Sequence, residues 1–234
     1  ARFKLKEGQL EMLVNEYKDI IDVYSTVDAI DKTGYYAYDK QYLKHTLTVS
    51  IAYQDKEYDI SNKLQYDLTN KTKADQVREK IRRAGREVQN IISDLEENSE
   101  NSKNIKFLIV IEGQSSKIPF NDNDWQNNET LSYLRAKFLK KFWTDPVSEG
   151  GCGLFQRTSE NDVNSKCEII VAGSGEGGVP RYYYKGGINP MSQNPAEEKY
   201  SSIKNVSPED FAAWRNVEQR NQRFLINIIP IIGN

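Results

Sequence analysis

Two runs hold the residues best placed to do chemistry in this 234-residue chain. One reads Ile111-Glu112-Gly113-Gln114-Ser115-Ser116-Lys117-Ile118-Pro119, and the other starts at Asn128 and carries Leu131, Ser132, Arg135 and Ala136. The first is apolar until a glycine and polar after it, so a strand delivers a loop. The second has helical spacing, with Arg135 two turns from its start. A guanidinium there can turn its fork toward the loop and hold a carboxylate bidentately, with free backbone N–H groups completing the cradle. The plainer alternative is an arginine that bridges to a neighbouring acid.

Other chemistries have weaker support. Glu168 to Gly178 spells a strand followed by Gly173-Ser-Gly175-Glu-Gly-Gly178, the dinucleotide fingerprint. That fingerprint works only where a helix begins at once and offers its N-terminus to a pyrophosphate. Here Val179-Pro180-Arg181 and three tyrosines follow, so the glycines read as a turn. His45 is the sole histidine and lies far from any serine in a nucleophile-elbow context. No spacing singles out a carboxylate pair, and no enzymatic activity is expected. Cys152 and Cys167 flank one polar stretch, and with no other cysteine present they read as a disulfide in an oxidising compartment, the alternative being two unrelated thiols. One histidine and two thiols do not complete a zinc shell, and no cofactor is expected.

Charge narrows the partners. With 32 basic and 34 acidic side chains the net charge is -2, which lacks the basic excess of a general polyanion binder, so nucleic acid is not expected. The apolar runs Phe107 to Ile111 and Phe224 to Ile232 are far shorter than the roughly 20 residues of a membrane-spanning helix. The chain begins at Ala1 without methionine, and an upstream signal or anchor is expected.

The elements that must position these residues follow from periodicity. Leu10, Leu13, Val14, Tyr17, Ile20, Ile21 and Tyr24 recur at helical spacing over residues 6 to 26, a stripe that suits packing on its own domain or against a second copy in a dimer. Residues 46 to 60 read as one or two strands. A long helix is expected over 72 to 97, burying Val77, Ile81, Ala84, Val88, Ile91, Ile92 and Leu95, with Gly85 weakening its middle. Ile105 to Glu112 is nearly continuously apolar and reads as a central strand. A helix over 128 to 142, a strand at 168 to 172, a helix opened by Ser207-Pro208-Glu209-Asp210 and a strand over 223 to 232 complete the order. Helices on one face of a mixed sheet make an α+β, two-layer sandwich.

The motifs in this order resemble a known family. Gly113-Gln-Ser-Ser-Lys-Ile-Pro119 is similar to the Gly-His-Thr-Asp-Asn-x-Pro loop of OmpA/MotB-type peptidoglycan-binding domains. Asn128-x-x-Leu131-Ser132-x-x-Arg135-Ala136 matches that family's Asn-x-x-Leu-Ser-x-x-Arg-Ala helix at every defined position. Gly173-Ser-Gly175-Glu176 with Pro180 resembles its Gly-x-Gly-Glu-x-x-Pro turn with one additional residue, and Asn221-Gln-Arg223-Phe-Leu-Ile226 resembles its closing Asn-Arg-Arg-x-x-Ile strand. Pro119 and Trp125 bring it closer to the MotB-like stator branch.

The resemblance implies an OmpA-like β/α/β/α/β/(α)/β domain over residues 45–234, with insertions at 117–127, 145–167 and 180–206, preceded by an N-terminal helix and linker over 1–44. It implies a non-catalytic, periplasmic cell-envelope module, anchored to a membrane by a segment upstream, that tethers a membrane complex to peptidoglycan. Implied partners are the peptidoglycan stem peptide, a second copy of the chain in a homodimer, and an inner-membrane subunit of the proton-channel type. In that family a loop aspartate neutralises the ammonium of the stem peptide's diamino acid and the helix arginine holds its carboxylate. Carried over, the arginine is Arg135 and the aspartate position is Ser116, with Gln114 and Ser115 at the histidine and threonine positions and Asn128 and Ser132 on the helix. Serine is uncharged, so half of the clamp is altered. Asp122, Asp124 or Glu129 could substitute for the missing anion; otherwise the pocket serves another envelope ligand, or the domain is a scaffold that dimerises without one.

Overall fold

A computed structural model of the chain describes residues 29–98, 105–118, 127–155, 167–182 and 207–232. Its elements are β1 (Tyr36–Asp39), β2 (Lys44–Leu47), α1 (Lys71–Asn98), β3 (Ile105–Gly113), α2 (Asn128–Thr144), β4 (Cys167–Gly173), α3 (Pro208–Arg220) and β5 (Phe224–Ile232), with three short 3-10 turns between them. Among the described residues the architecture is α+β: one five-stranded mixed sheet in the order β1-β2-β5-β3-β4, and three α-helices. The stripe expected over residues 6 to 26 lies outside the described residues.

β3 is central because it is apolar without a break from Phe107 to Ile111. It pairs in parallel with β4, Ile109 opposite Ile169, and antiparallel with β5, Ile109 opposite Ile228. Side chains alternate across a strand, and on one face Phe107, Ile109, Ile111, Ile169, Ile226 and Ile228 are buried in a single cluster with Ile81, Ala84 and Val88 of α1 and Leu139, Phe142 and Trp143 of α2. The opposite face is apolar but open: Ile170, Ile229 and Ile231 are exposed. A strand flanked on both sides is thus covered on one face only.

Gly85 has a packing reason. A Cβ at this point of α1 would stand 2.7 Å from the indole nitrogen of Trp143, which donates to the Ile81 carbonyl at 3.0 Å. Glycine costs about 1 kcal/mol in a helix relative to alanine. Full burial of a large side chain such as Trp143 returns roughly 2 kcal/mol or more, so the close helix crossing prevails. The helix starts follow their caps. The Asn127 side chain accepts from the Thr130 N–H at 2.8 Å, and Ser207 accepts from Asp210 N–H at 3.1 Å, with Pro208 at the first helical position.

The structure revises two expectations about the first third of the chain. Residues 29–44, read as linker, supply a 3-10 turn at Ala29–Thr33 and the edge strand β1, paired with β2 from Tyr36–Leu47 to Asp39–Lys44. Of the one or two strands expected over 46 to 60, only the end of β2 at Thr46 and Leu47 is formed; beyond it, among the described residues, an isolated bridge joins Tyr53 to Leu64. The chain from Val49 onward instead wraps toward the helices, which places Tyr53 where it matters for Arg135.

Candidate functional site

The loop that leaves β3 is sealed. Gln114 and Ser115 are fully buried, and Ser116 and Lys117 nearly so. The backbone N–H of Gln114 donates to the Arg223 carbonyl at 2.9 Å and that of Ser115 to the Gly175 carbonyl at 3.0 Å. Ser116 Oγ accepts from Gln222 Nε2 at 3.2 Å, and Gln114 Oε1 accepts from Arg223 Nε at 3.1 Å. The Lys117 N–H donates to a carboxylate of the protein itself, Glu218 Oε2, at 2.7 Å. Glu218 lies on α3, forms an ion pair with Arg181 Nη2 and accepts from Asn221 Nδ2 at 3.3 Å. Arg181 in turn donates to the Ser115 carbonyl at 3.1 Å. An internal arginine–carboxylate pair thus takes the donor and acceptor that the loop would offer a ligand.

The glycines that resemble the family's turn are there for close approach. A Cβ on Gly113 would fall 2.1 Å from the Ser132 carbonyl oxygen, and one on Gly173 would fall 2.6 Å from the Tyr133 amide. Gly175 has φ +57 and donates its N–H to Ser132 Oγ at 2.9 Å. Asn128 Nδ2 bonds the Ile118 carbonyl at 3.1 Å and Glu176 at 3.4 Å. The ends of β3 and β4 are therefore locked to the first turns of α2. Residues 174–182 contain turns and no helix, so the fingerprint glycines do not form a dinucleotide site.

Arg135 is turned elsewhere. Its side chain extends toward the β2–α1 connection, where Nε donates to the Glu57 carbonyl at 3.2 Å and the guanidinium carbon lies 4.5 Å from the centre of the Tyr53 ring. No hydrogen bond or ion pair joins it to Gln114, Ser115 or Ser116, which corrects the expectation that the fork faces that loop. The cause is the wrap of residues 49–58, whose Tyr53 and Tyr58 pack over α2, Tyr58 against Phe138 at 4.7 Å. Arg135 is only 3% exposed, and among the described residues it forms no ion pair and its Nη1 has no hydrogen-bond partner. The Tyr53 hydroxyl is likewise buried and unpartnered. Burial pushes the guanidinium down to about 10, opposed by the nearby Tyr53 and Asp55, so it stays charged at neutral pH. The same burial raises the Tyr53 phenol. The plainer alternative, a bridge to a neighbouring acid, is therefore not what Arg135 does.

The structure brings Gln114, Ser115, Ser116, Asn128 and Ser132 into one hydrogen-bonded region and places Arg135 one turn beyond it. Glu129 is exposed in the first turn of α2, packed against Gly175, with no bond to Arg135. Asp122 and Asp124 lie outside the described residues. Cys152 and Cys167 are both buried but not bonded to each other, a correction to the expected disulfide. Cys152 is held by its N–H to the Phe142 carbonyl and lies against Arg82 of α1, whereas Cys167 opens β4 opposite Phe107. Burial raises the Cys152 thiol, which disfavours the thiolate needed for exchange.

Sequence reasoning missed Arg181, Glu218 and Tyr53. The first two are ordinary members of a chain rich in charge, and nothing in their spacing announces a pair. No protein-family model matches the chain, and no curated protein matches it. The class defined by the coordinates is an α+β domain with a five-stranded mixed sheet, and the family resemblance rests on the four motifs alone.

Proposed function

We propose that this chain is a non-catalytic cell-envelope domain of the OmpA/MotB type that tethers a membrane protein to peptidoglycan, with Arg135 holding a carboxylate of the stem peptide. The observation that carries the reading is the buried guanidinium without an acid. An ion in a low-dielectric interior costs several kcal/mol unless it is paired and hydrogen-bonded, and a ligand carboxylate would supply the partner for Nη1 that the protein does not. The succession β2, α1, β3, α2, β4, α3, β5 follows the order that the motifs imply. Access to Nη1 requires the turn at 54–57 to shift, and that turn is strained: Lys56 has φ +61, a left-handed conformation uncommon for a residue with a side chain.

In this reading the loop 114–117 is framework, held by Arg181, Glu218, Gln222 and Arg223. Homodimerisation, a periplasmic site and a proton-channel partner remain parts of the same proposal, supported by the motif resemblance.

The sealed loop favours a second reading, a structural and dimerising scaffold that has lost the wall ligand, because Arg181 and Glu218 already satisfy the loop. Sedimentation with purified peptidoglycan sacculi separates the two. The wild-type chain co-sediments and Arg135→Ala stays in the supernatant if the arginine is the anchor. Both proteins in the supernatant, each shown folded by circular dichroism, would leave the scaffold reading.

A further inference from the structure

A cleft of about 490 Å³ lies at the other end of the same network, between the β1–β2 edge and the end of α3. Thr46, Thr48 and Ser50 line one wall, and Tyr182, Arg220 and Arg223 the other. The guanidinium carbons of Arg220 and Arg223 stand 4.0 and 4.6 Å from the centre of the Tyr182 ring. Among the described residues neither forms an ion pair. Among the described residues Arg223 bonds the uncharged groups Gln114 Oε1, the Pro180 carbonyl and the Tyr182 side chain.

The remaining charges around the cleft do not neutralise them. Arg181 is matched by Glu218. The Asp39 carboxylate lines the cleft and accepts the N–H groups of Gln41 and Tyr42 at 2.9 and 3.1 Å. Among the described residues it forms no ion pair with either arginine, and it supplies one negative charge against two positive ones. Carbonyls at the end of α3 account for a cation at Arg220, but not for a second cation held over the same ring. Two like charges held against one aromatic ring, in a cleft of ligand size, are stable together when an anion joins them.

We infer that this cleft binds a dianionic oxyanion group, phosphate or paired carboxylate, between Arg220 and Arg223. The site is separate from Arg135 and does not depend on wall binding. Planar guanidinium forks suit two oxygens of one group, the Tyr182 ring keeps both forks oriented, and the hydroxyls of the opposite wall face the rest of the ligand.

The test is calorimetric titration of the whole chain with inorganic pyrophosphate and, separately, with glutarate, in physiological chloride. Arg220 is exposed and bonded to nothing that holds the fold, so Arg220→Gln reports on binding without loss of structure. Saturable binding of at least one probe, weakened about tenfold or more by Arg220→Gln and unchanged by Arg135→Ala, is the expected result. A preference for pyrophosphate identifies a phosphate ligand, and a preference for glutarate a carboxylate one. No saturation with either probe, or equal binding by wild type and Arg220→Gln, would overturn the site.

Discussion

Arg181 and Arg135 are equally buried cations that the fold treats in opposite ways. The Arg181 side chain is 3% exposed and meets Glu218, which is 5% exposed and also receives the Lys117 N–H. Arg135 is as deeply buried, yet its guanidinium has a tyrosine face, one backbone carbonyl and no acid. One locks the loop that leaves β3, and the other lies on α2. A buried charge that is matched inside the protein is a structural device. One that is unmatched is tolerated at a cost, and a cost of several kcal/mol is reason to look for an external partner.

The most severe way to break the comparison is to remove the internal acid. Glu218→Ala leaves Arg181 buried without its partner and releases the Lys117 amide; a loss of about 3–5 kcal/mol in stability is expected, read by urea denaturation. Gly113→Ala attacks the same region through shape. Its Cβ would meet the Ser132 carbonyl at 2.1 Å, and a loss of about 3 kcal/mol is expected from forced backbone movement, with the midpoint falling and the denaturant slope unchanged.

Arg135→Met sharpens the contrast from the other side. Replacing an unmatched buried ion by an apolar side chain of similar length is neutral or stabilising, so a stability equal to wild type or above it by up to about 4 kcal/mol is expected, together with loss of sacculus binding. A destabilisation as large as that of Glu218→Ala would show that Arg135 is matched within the fold after all. The smallest effect concerns the thiols. Because Cys152 and Cys167 are not joined, adding reductant leaves Tm unchanged; a bridge worth about 3 kcal/mol would lower it by several degrees.

The parts of the fold that were legible in the sequence are those set by local chemistry. The apolar period of α1, the Ser207-Pro208 start of α3 and the apolar run Phe107 to Ile111 of β3 each specify their element with little help from the rest of the chain. β1 was not legible, since Tyr36-Ala-Tyr-Asp39 is only four residues long and becomes a strand by pairing with β2. Gly85 looked like a weakness until Trp143 gave it a reason.

The site divides along the same line. Ser132, Asn128 and the glycines of 113 and 173–175 could be singled out because close backbone approach restricts residue type, and they do meet. The direction of Arg135 could not be read, because it is decided by Tyr53 and Glu57, 82 and 78 positions earlier, in a segment whose alternation suggested a strand. The seal over the loop was hidden for a similar reason: Arg181 and Glu218 are 37 residues apart, and the chain holds 34 acids from which to choose. Two cysteines and no others suggested a disulfide by count, whereas pairing is decided by where the ends of α2 and the start of β4 place them.

The most direct test of the central claim is to watch the Arg135 side chain itself. In a nitrogen–proton spectrum of labelled protein, its Nε–H and Nη–H resonances are assigned by their loss in Arg135→Met, and a synthetic stem tripeptide ending in the diamino acid is titrated in. The account predicts a saturable shift of the Arg135 resonances that vanishes when the peptide's terminal carboxylate is amidated. Resonances that stay fixed to saturating peptide, or that move equally with the amidated peptide, would contradict it.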